Sequence, residues 1–258
     1  MQFNQRILAA IMFILPASMH AVDIPTKYLV VSPFEPDSTL KWCQKVQLPS
    51  EDTHIVKCTA IRQRDQLYLI QTKLDVLNKQ QCAIAAFGIC AGASALAYAL
   101  PQLDCSRIKT VFLESPWDNF TNLVADMCCC CPSIVSRCFA RWCCKYDVGG
   151  RHPVTEIGSL PSTLSVNFFV IDGNDMIVPI KRTKALYNAI HVAKNWLVFR
   201  GAHSLLAQNQ NYPRIVHELL RQHKLQCDAV LAKEGAEIFA IGPQIIEDHD
   251  YKTENTKS

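Results

Sequence analysis

The stretch CAIAAFGICAGASALAYAL, residues 82–100, decides the fold class because it joins an apolar strand directly to a helix of small residues. Cys82 to Gly88 is almost wholly apolar, which is typical of a central parallel strand covered on both faces. A helix is predicted from Ala91 to Leu100. Strand and helix are contiguous, so the turn between them must be tight.

The turn itself reads Gly88-Ile89-Cys90-Ala91-Gly92. A side chain held on a tight strand-to-helix turn needs neighbours without bulk, because the backbone is strained and the helix is close. The turn also places Cys90 near a helix amino terminus, where the dipole favours a thiolate. Cys90 is therefore a candidate nucleophile, and the alternative is a small buried thiol without chemistry.

The chain around this stretch alternates strands and helices. Strands are predicted at residues 28–32, 54–61, 110–113, 165–171 and 196–199, and further helices at residues 66–79, 181–190 and 212–223. This order predicts a parallel sheet with right-handed crossovers, helices on both faces and functional loops at the carboxyl ends of the strands. We expect an α/β fold, a three-layer α/β/α sandwich with about six mostly parallel strands.

An acid and a base follow the last two predicted strands. Residues 172–179 read DGNDMIVP, and residues 201–204 read GAHS. Each group lies just past the carboxyl end of a strand, so Asp175 and His203 can converge with Cys90 although 85 residues separate Cys90 from Asp175. Asp172 is a rival for the acid, but its place beside the strand is more typical of a turn residue.

These motifs resemble the α/β-hydrolase superfamily, in the branch where Cys replaces Ser in the nucleophile elbow, as in dienelactone hydrolases. The resemblance covers roughly residues 28–223 and is strongest in the acid loop, where Asp175 stands three residues before a Val-Pro pair. It implies that Cys90 is the nucleophile, that His203 is the general base and then acid, and that Asp175 orients His203. The implied reaction is hydrolysis of a carboxylic ester or thioester, with no cofactor and no metal.

The resemblance also implies two oxyanion donors, the backbone N–H groups of Ala91 and Phe34. The first-strand loop departs from the family's usual His-Gly start, since residues 32–36 read SPFEP, with Pro33 unable to donate and Glu35 charged. The sheet should be a shortened version of the family's. Two other functions stay open: acyl transfer from an acyl-thioester donor on the same scaffold, and a non-catalytic binding module.

The chain has 13 Cys, and a cluster of them lies in a predicted insertion at about residues 118–161. The cluster consists of Cys128, Cys129, Cys130, Cys131, Cys138, Cys143 and Cys144. Structural disulfides are the first interpretation; a zinc site of Cys128, Cys131, Cys138 and Cys143, or lipidation of a membrane-facing patch, are the alternatives. We expect the insertion to cover the site as a lid, with Trp117, Phe120 and Trp142 lining an apolar acyl or aromatic pocket or merely packing the insertion. Peripheral membrane contact through this lid is a further expectation.

The net charge of the chain and the sequences of its two ends predict its partners and location. With a formal charge of +3 and 19% charged residues, the chain has no electrostatic footprint for nucleic acid. Residues 1–21 carry one charge, Arg6, and an apolar run, which predicts a signal peptide and export to a periplasmic or secreted location, with an uncleaved membrane anchor as the alternative. The hydrolase-like domain is then residues 22–225, followed by a C-terminal extension at residues 226–258 whose polar end we expect to be mobile.

Overall fold

Parallel strands and the helices between them make up the part of the chain that the computed structural model describes, residues 26–58, 62–127, 133–171, 175–199, 201–203 and 205–223. The strands are β1 Thr26–Ser32, β2 Thr53–Lys57, β3 Ala83–Ile89, β4 Ile108–Glu114, β5 Ser165–Ile171 and β6 Ala193–Phe199. The helices are α1 Pro36–Lys45, α2 Gln63–Asn78, α3 Ala91–Ala99, α4 Phe120–Met127, α5 Ser133–Trp142, α6 Pro153–Glu156, α7 Ile180–Ala189 and α8 Asn211–Gln222. The predicted signal segment 1–21, Cys128 to Cys131 and the extension 226–258 lie outside the described residues.

The six strands form one sheet in the order β2-β1-β3-β4-β5-β6, and every neighbouring pair is parallel. β3 lies between β1 and β4, and each of its seven residues is buried. The predicted parallel α/β fold with about six strands is therefore confirmed. A continuous apolar strand is the pattern expected where helices cover both faces of a parallel sheet.

Two hydrophobic clusters cover the two faces of the sheet. On one face, α2, α3 and α7 contribute side chains such as Leu74, Leu96 and Leu186. On the other face, α1 and α8 contribute Trp42 and Leu219 among others. The protein therefore has the three layers predicted from the order of its elements.

A line of hydrogen-bonded polar side chains crosses β4, β5 and β6, with Thr110 and Asn167 buried and Asn195 half-buried. Asn167 Nδ2 donates to Thr110 Oγ1 at 2.8 Å, and Asn195 Nδ2 donates to Asn167 Oδ1 at 2.7 Å. Asn167 and Asn195 are register partners in the β5–β6 pair. A slip by one residue would turn these amides to the other face and leave buried polar groups unpaired, so the line fixes the register of the strands that carry the acid and base loops.

The predicted insertion at about residues 118–161 falls in the β4–β5 segment, residues 115–164, which contains α4, α5 and α6. It builds a third cluster, in which Trp117, Phe120 and Ala140 pack with Val178 and in which Cys90 is a contact. Within the described residues no helix has the length and apolar character that a membrane span requires.

All eight described cysteines are free thiols, so the predicted disulfides are absent among them. Cys138 and Cys143 are exposed on and just after α5, whereas four of the scattered cysteines, Cys43, Cys58, Cys82 and Cys105, are buried in the core. Those four serve as small apolar side chains rather than as cross-links. The described residues group no three His, Cys, Asp or Glu side chains as metal ligands, and two members of the predicted zinc set, Cys128 and Cys131, lie outside them.

Candidate active site

Cys90 occupies a strained turn between β3 and α3. Its backbone has φ 51° and ψ −116°, a region that a non-glycine residue rarely adopts. A Cβ on Gly88 would lie 2.4 Å from Ala93 Cα, and one on Gly92 would lie 2.1 Å from the Val31 carbonyl oxygen. The two glycines flanking Cys90 are thus required by close backbone packing, which explains the Gly-x-Cys-x-Gly pattern physically.

The structure brings the three predicted side chains into one hydrogen-bonded row. His203 Nε2 lies 3.0 Å from Cys90 Sγ, and His203 Nδ1 lies 2.8 Å from Asp175 Oδ2. Cys90 ends β3, Asp175 follows β5 and His203 follows β6, so three strand ends at the same edge supply the row. Both ring nitrogens of His203 are engaged, which fixes the orientation of the imidazole.

Backbone amides that follow Asp175 in the chain stabilise its carboxylate as an anion. The backbone N–H groups of Ile177 and Val178 donate to Asp175 Oδ1 at 2.9 and 2.8 Å, leaving Oδ2 for His203. Burial alone would raise the pKa of Asp175, but the hydrogen bonds from His203 and from these amides outweigh it, and the pKa is lowered. The rival acid, Asp172, lies outside the described residues.

His203 is held as a cation by its two partners. Burial disfavours the charged ring, but the hydrogen bonds and charges of Asp175 and Cys90 prevail and raise the pKa of His203 to about 10. The raised pKa favours the imidazolium form of His203 beside the Cys90 sulfur. An adjacent cation stabilises a thiolate, which is the reactive form of a cysteine.

The two predicted oxyanion donors have different surroundings. Ala91 is the first residue of α3, so its N–H has no acceptor within the helix and points from the amino terminus. The Phe34 N–H donates to Ser32 Oγ at 3.2 Å. The charge of Glu35 in the same loop is paired with Lys57. The Phe34 N–H is thus already hydrogen-bonded, and a rotation of the Ser32 side chain about its Cα–Cβ bond would break that hydrogen bond.

The aromatic residues of the predicted pocket divide into two groups. Trp117 and Phe120 are buried in the cluster that contacts Cys90 and Ala91. Trp142 is not a member of this cluster, and its side chain is 77% exposed. The reason is its position on α5, because Ser136 and Ala140 form the buried side of that helix.

Glu114 is a residue of this site that the sequence analysis missed. It ends β4, between the strands that carry Cys90 and Asp175, and its side chain is buried. Tyr212 Oη donates to Glu114 Oε2 at 3.1 Å, and burial raises the pKa of Glu114 to about 7. The signal was available, because an acid directly at the carboxyl end of an apolar strand is the same criterion that identified the Asp175 loop.

A surface hollow of about 620 Å³ lies apart from these side chains. Its lining includes Arg151 and Glu156, which form an ion pair at 3.4 Å, and none of Cys90, Asp175 and His203. We place the candidate site at the sheet edge rather than in this hollow, because among the described residues that edge sets a cysteine sulfur beside an imidazole and a carboxylate.

Comparison with solved structures bears on the fold. An esterase of Pyrococcus furiosus superposes with a TM-score of 0.52 at 12% identity, covering 77% of this chain and 82% of that one. The fold is α/β-hydrolase-like. A proline iminopeptidase of Mycobacterium smegmatis matches with a TM-score of 0.52 at 10% identity, covering 77% of this chain and 90% of its own.

A larger neighbour, the acylaminoacyl peptidase of Pyrococcus horikoshii, matches with a TM-score of 0.50 at 14% identity over 83% of this chain and 39% of that one. At these identities the likeness concerns the fold alone. No protein-family model matches the chain, and no curated protein matches it in sequence.

Proposed function

We propose that the protein hydrolyses a carboxylic ester or thioester through a covalent acyl-Cys90 intermediate. The observation that carries the proposal is the row of hydrogen bonds from Asp175 Oδ2 through His203 to Cys90 Sγ, 2.8 and 3.0 Å long. The strained turn at Cys90 supports it, because backbone strain persists where the surrounding structure enforces it, and such positions cluster at reactive sites. Two of the similar folds belong to an esterase and an acylaminoacyl peptidase, both of which act on acyl groups by their names.

Acylation would begin with the Cys90 thiolate attacking the acyl carbonyl carbon. A C–S bond forms and the carbonyl oxygen becomes an oxyanion. When the tetrahedral adduct collapses, the bond to the alcohol or thiol breaks, and the His203 imidazolium gives its Nε2 proton to that leaving group. Asp175 holds Nδ1 throughout and stabilises the cationic ring before that transfer.

Deacylation would use the same groups in reverse. Water attacks the acyl carbon while neutral His203 takes its proton at Nε2. The C–S bond then breaks, the carboxylic acid leaves, and the sulfur returns as a thiolate facing an imidazolium. Water supplies both the new oxygen and the proton that reaches His203, so no further reactant is needed.

Stabilisation of the oxyanion would come first from the Ala91 N–H at the start of α3. The Phe34 N–H would supply the second hydrogen bond once Ser32 Oγ turns away from it. Loss of one oxyanion donor in acyl-transfer enzymes costs on the order of 10²–10³ in rate, so this rearrangement is a substantial part of the proposed chemistry.

Acyl transfer to an alcohol or amine is a second candidate, and one observation favours it. Trp117, Phe120 and Val178 build the apolar cluster against which Cys90 packs. An apolar cover over an acyl-cysteine excludes water and lets another nucleophile compete for the acyl group.

The test is to trap the acyl group. The full-length protein is mixed with p-nitrophenyl acyl esters and with S-acyl thioesters, quenched, and mapped by peptide mass spectrometry. We expect the acyl mass on Cys90, no turnover in Cys90→Ala, and a fall in the acylation rate of roughly 10²–10⁴ in His203→Ala. Free acid as the final product indicates hydrolysis, whereas an acylated product formed with added alcohol or amine indicates transfer.

Cys138→Ala is the matched control, because Cys138 is an exposed free thiol on α5. Its removal should leave turnover unchanged. Turnover that survives in Cys90→Ala, or an acyl group found only on Cys138, would contradict the proposal. If no acyl group becomes attached to the protein and none of the esters or thioesters is turned over, the protein would instead be a binding module on a hydrolase-like scaffold.

A further inference from the structure

Large apolar side chains are exposed at the sheet edge that carries Cys90, and they come from the connections after four different strands. We call them the apolar rim; its members are Phe34, Val135, Phe139, Trp142, Met176 and Leu205. Phe34 follows β1, Met176 follows β5 and Leu205 follows β6. The other three members lie on α5, in the segment after β4. Scattered exposed apolar residues need no explanation, but a group gathered at one functional edge indicates an interaction surface.

We propose that the apolar rim docks the protein on a lipid bilayer with anionic headgroups, with the Cys90 site facing the membrane. The inference concerns where the protein binds and does not require that Cys90 be acylated. It follows from three observations on the described residues: the form of α5, its position over the site, and its charge.

α5 exposes an apolar stripe. Val135, Phe139 and Trp142 are spaced i, i+4 and i+7, which places them on one side of the helix, and they are 46%, 47% and 77% exposed. Among residues 135–142, the buried side of α5 carries the small residues Ser136 and Ala140. A helix that packs through small residues and exposes large apolar ones is arranged to meet an apolar medium.

α5 packs against the candidate active site through its buried side. Ala140 belongs to the cluster that includes Val178 and contacts Cys90. Met176, which is 92% exposed, follows Asp175 directly, and Leu205 follows His203 by two residues. Insertion of the rim would therefore bring Cys90 close to the acyl chains of the bilayer.

The charge of this region selects the kind of surface. Residues 133–145 contain Arg137, Arg141 and Lys145 and no acidic residue, and all three cations are exposed. Basic side chains beside an apolar stripe can extend to the headgroups while the stripe enters the acyl boundary. Each such cation near an anionic leaflet adds roughly fivefold to binding.

The same charges disfavour a second copy of the chain as the occupant. A two-fold contact sets the same patch against itself, so Arg137, Arg141 and Lys145 would face their own copies. Like charges opposed across an interface repel. An anionic bilayer complements both the apolar stripe and the cations, so we commit to it.

The test measures binding of the full-length protein to vesicles of phosphatidylcholine alone and with about one third phosphatidylserine, the fraction at which the ~1 kcal/mol expected for each cation should be visible. Val135→Glu should weaken binding about tenfold or more, because it places a charge in the stripe.

Val76→Glu is the matched control. Val76 is 45% exposed, close to the value for Val135, but it lies near the end of α2, just before β3 begins at the opposite edge of the sheet. Its substitution should change binding less than twofold.

Trp142 gives a local readout. Nitroxide-labelled lipid should quench its fluorescence, and Trp142→Phe should remove most of the quenched signal, because Trp42 and Trp117 are buried and Trp196 is half-buried within β6. Arg137→Gln with Arg141→Gln should lower the preference for phosphatidylserine roughly twentyfold. Cys90→Ala should bind as the wild type does, so a failure of docking and a failure of the acyl-cysteine chemistry remain distinguishable.

Equal binding by Val135→Glu and Val76→Glu would overturn the proposal. So would vesicle binding without quenching of Trp142, since that places the contact elsewhere, for example in residues 1–21. Dimerisation that Val135→Glu abolishes, without lipid binding, would assign the rim to a second copy instead.

Discussion

At the level of single residues, Cys90 differs from the other described cysteines in what its sulfur contacts. Burial raises the pKa of Cys43, Cys58 and Cys105 to about 12, so these thiols are packing groups at physiological pH. Cys90 is half-buried and faces the His203 ring. Among 13 cysteines the sequence distinguishes Cys90 by its flanking glycines and by its place between an apolar strand and a helix of small residues. The contact with His203 gives this difference a physical meaning.

Glu114 yields a prediction about stability and pH. Its carboxyl has an ordinary pKa of 4.5 and a pKa of about 7 in the folded protein, because burial disfavours the anion. The unfolded chain releases this proton at a lower pH than the folded chain does. The contribution of Glu114 to stability is therefore complete below pH 4.5 and is lost as the pH rises to about 7, by about 3 kcal/mol at most.

Glu114→Gln cannot lose a proton and should lack this loss. Urea unfolding at several pH values between 4.5 and 8 is the measurement, and the difference between wild type and variant is the quantity of interest. His203 contributes to both proteins in the same direction, so its titration cancels to first order. Identical pH profiles for the two proteins would show that Glu114 is not held neutral.

At the level of elements, the junction of β3 and α3 depends on two close backbone approaches. Gly92→Ala would place a Cβ 2.1 Å from the Val31 carbonyl oxygen, and backbone rather than a flexible side chain would have to move. We expect a loss of about 1–3 kcal/mol of unfolding free energy. Gly149→Ala is the control, since a Cβ there would meet nothing within 4 Å, and its effect should stay within about 0.5 kcal/mol.

Chemical denaturation of both variants provides the comparison, together with the rate of Cys90 alkylation. Gly92→Ala should lose stability and Cys90 reactivity together, because the same turn sets both. Equal stability of the two variants would mean that α3 can shift without cost, and the account of the turn would then be wrong.

The elements also show why sequence patterns succeeded for some segments and failed for others. β5 begins and ends where predicted because both of its faces are buried, which gives an unbroken apolar run. β6 begins at Ala193 rather than Trp196, because an edge strand with one pairing neighbour tolerates the polar residues Lys194 and Asn195. α5 was missed because it buries Ser136 and Ala140 and exposes Val135, Phe139 and Trp142, the reverse of the usual helical pattern.

At the level of the whole molecule, the order of strands brings the candidate residues together. Cys90 ends β3, Glu114 ends β4, and the loops of Asp175 and His203 follow β5 and β6, which are successive neighbours in the sheet. The rule that functional loops gather at the carboxyl ends of parallel strands was sufficient to predict this convergence from sequence. Contacts between side chains that are distant in sequence, such as that of Tyr212 on α8 with Glu114 at the end of β4, depend on packing that no local pattern encodes.

The most direct test of the central claim is the rate of Cys90 alkylation by iodoacetamide as a function of pH, read by peptide mass spectrometry. Because His203 Nε2 lies 3.0 Å from Cys90 Sγ and the pKa of His203 is raised, we expect Cys90 to be alkylated faster than Cys138 at neutral pH. His203→Ala should slow it by about tenfold or more, and Asp175→Ala should slow it less. Cys138, an exposed thiol on α5, is the internal control whose rate neither variant changes. Alkylation of Cys90 that is absent, or equal in all three proteins, would contradict the claim that sulfur, imidazole and carboxylate act as one unit.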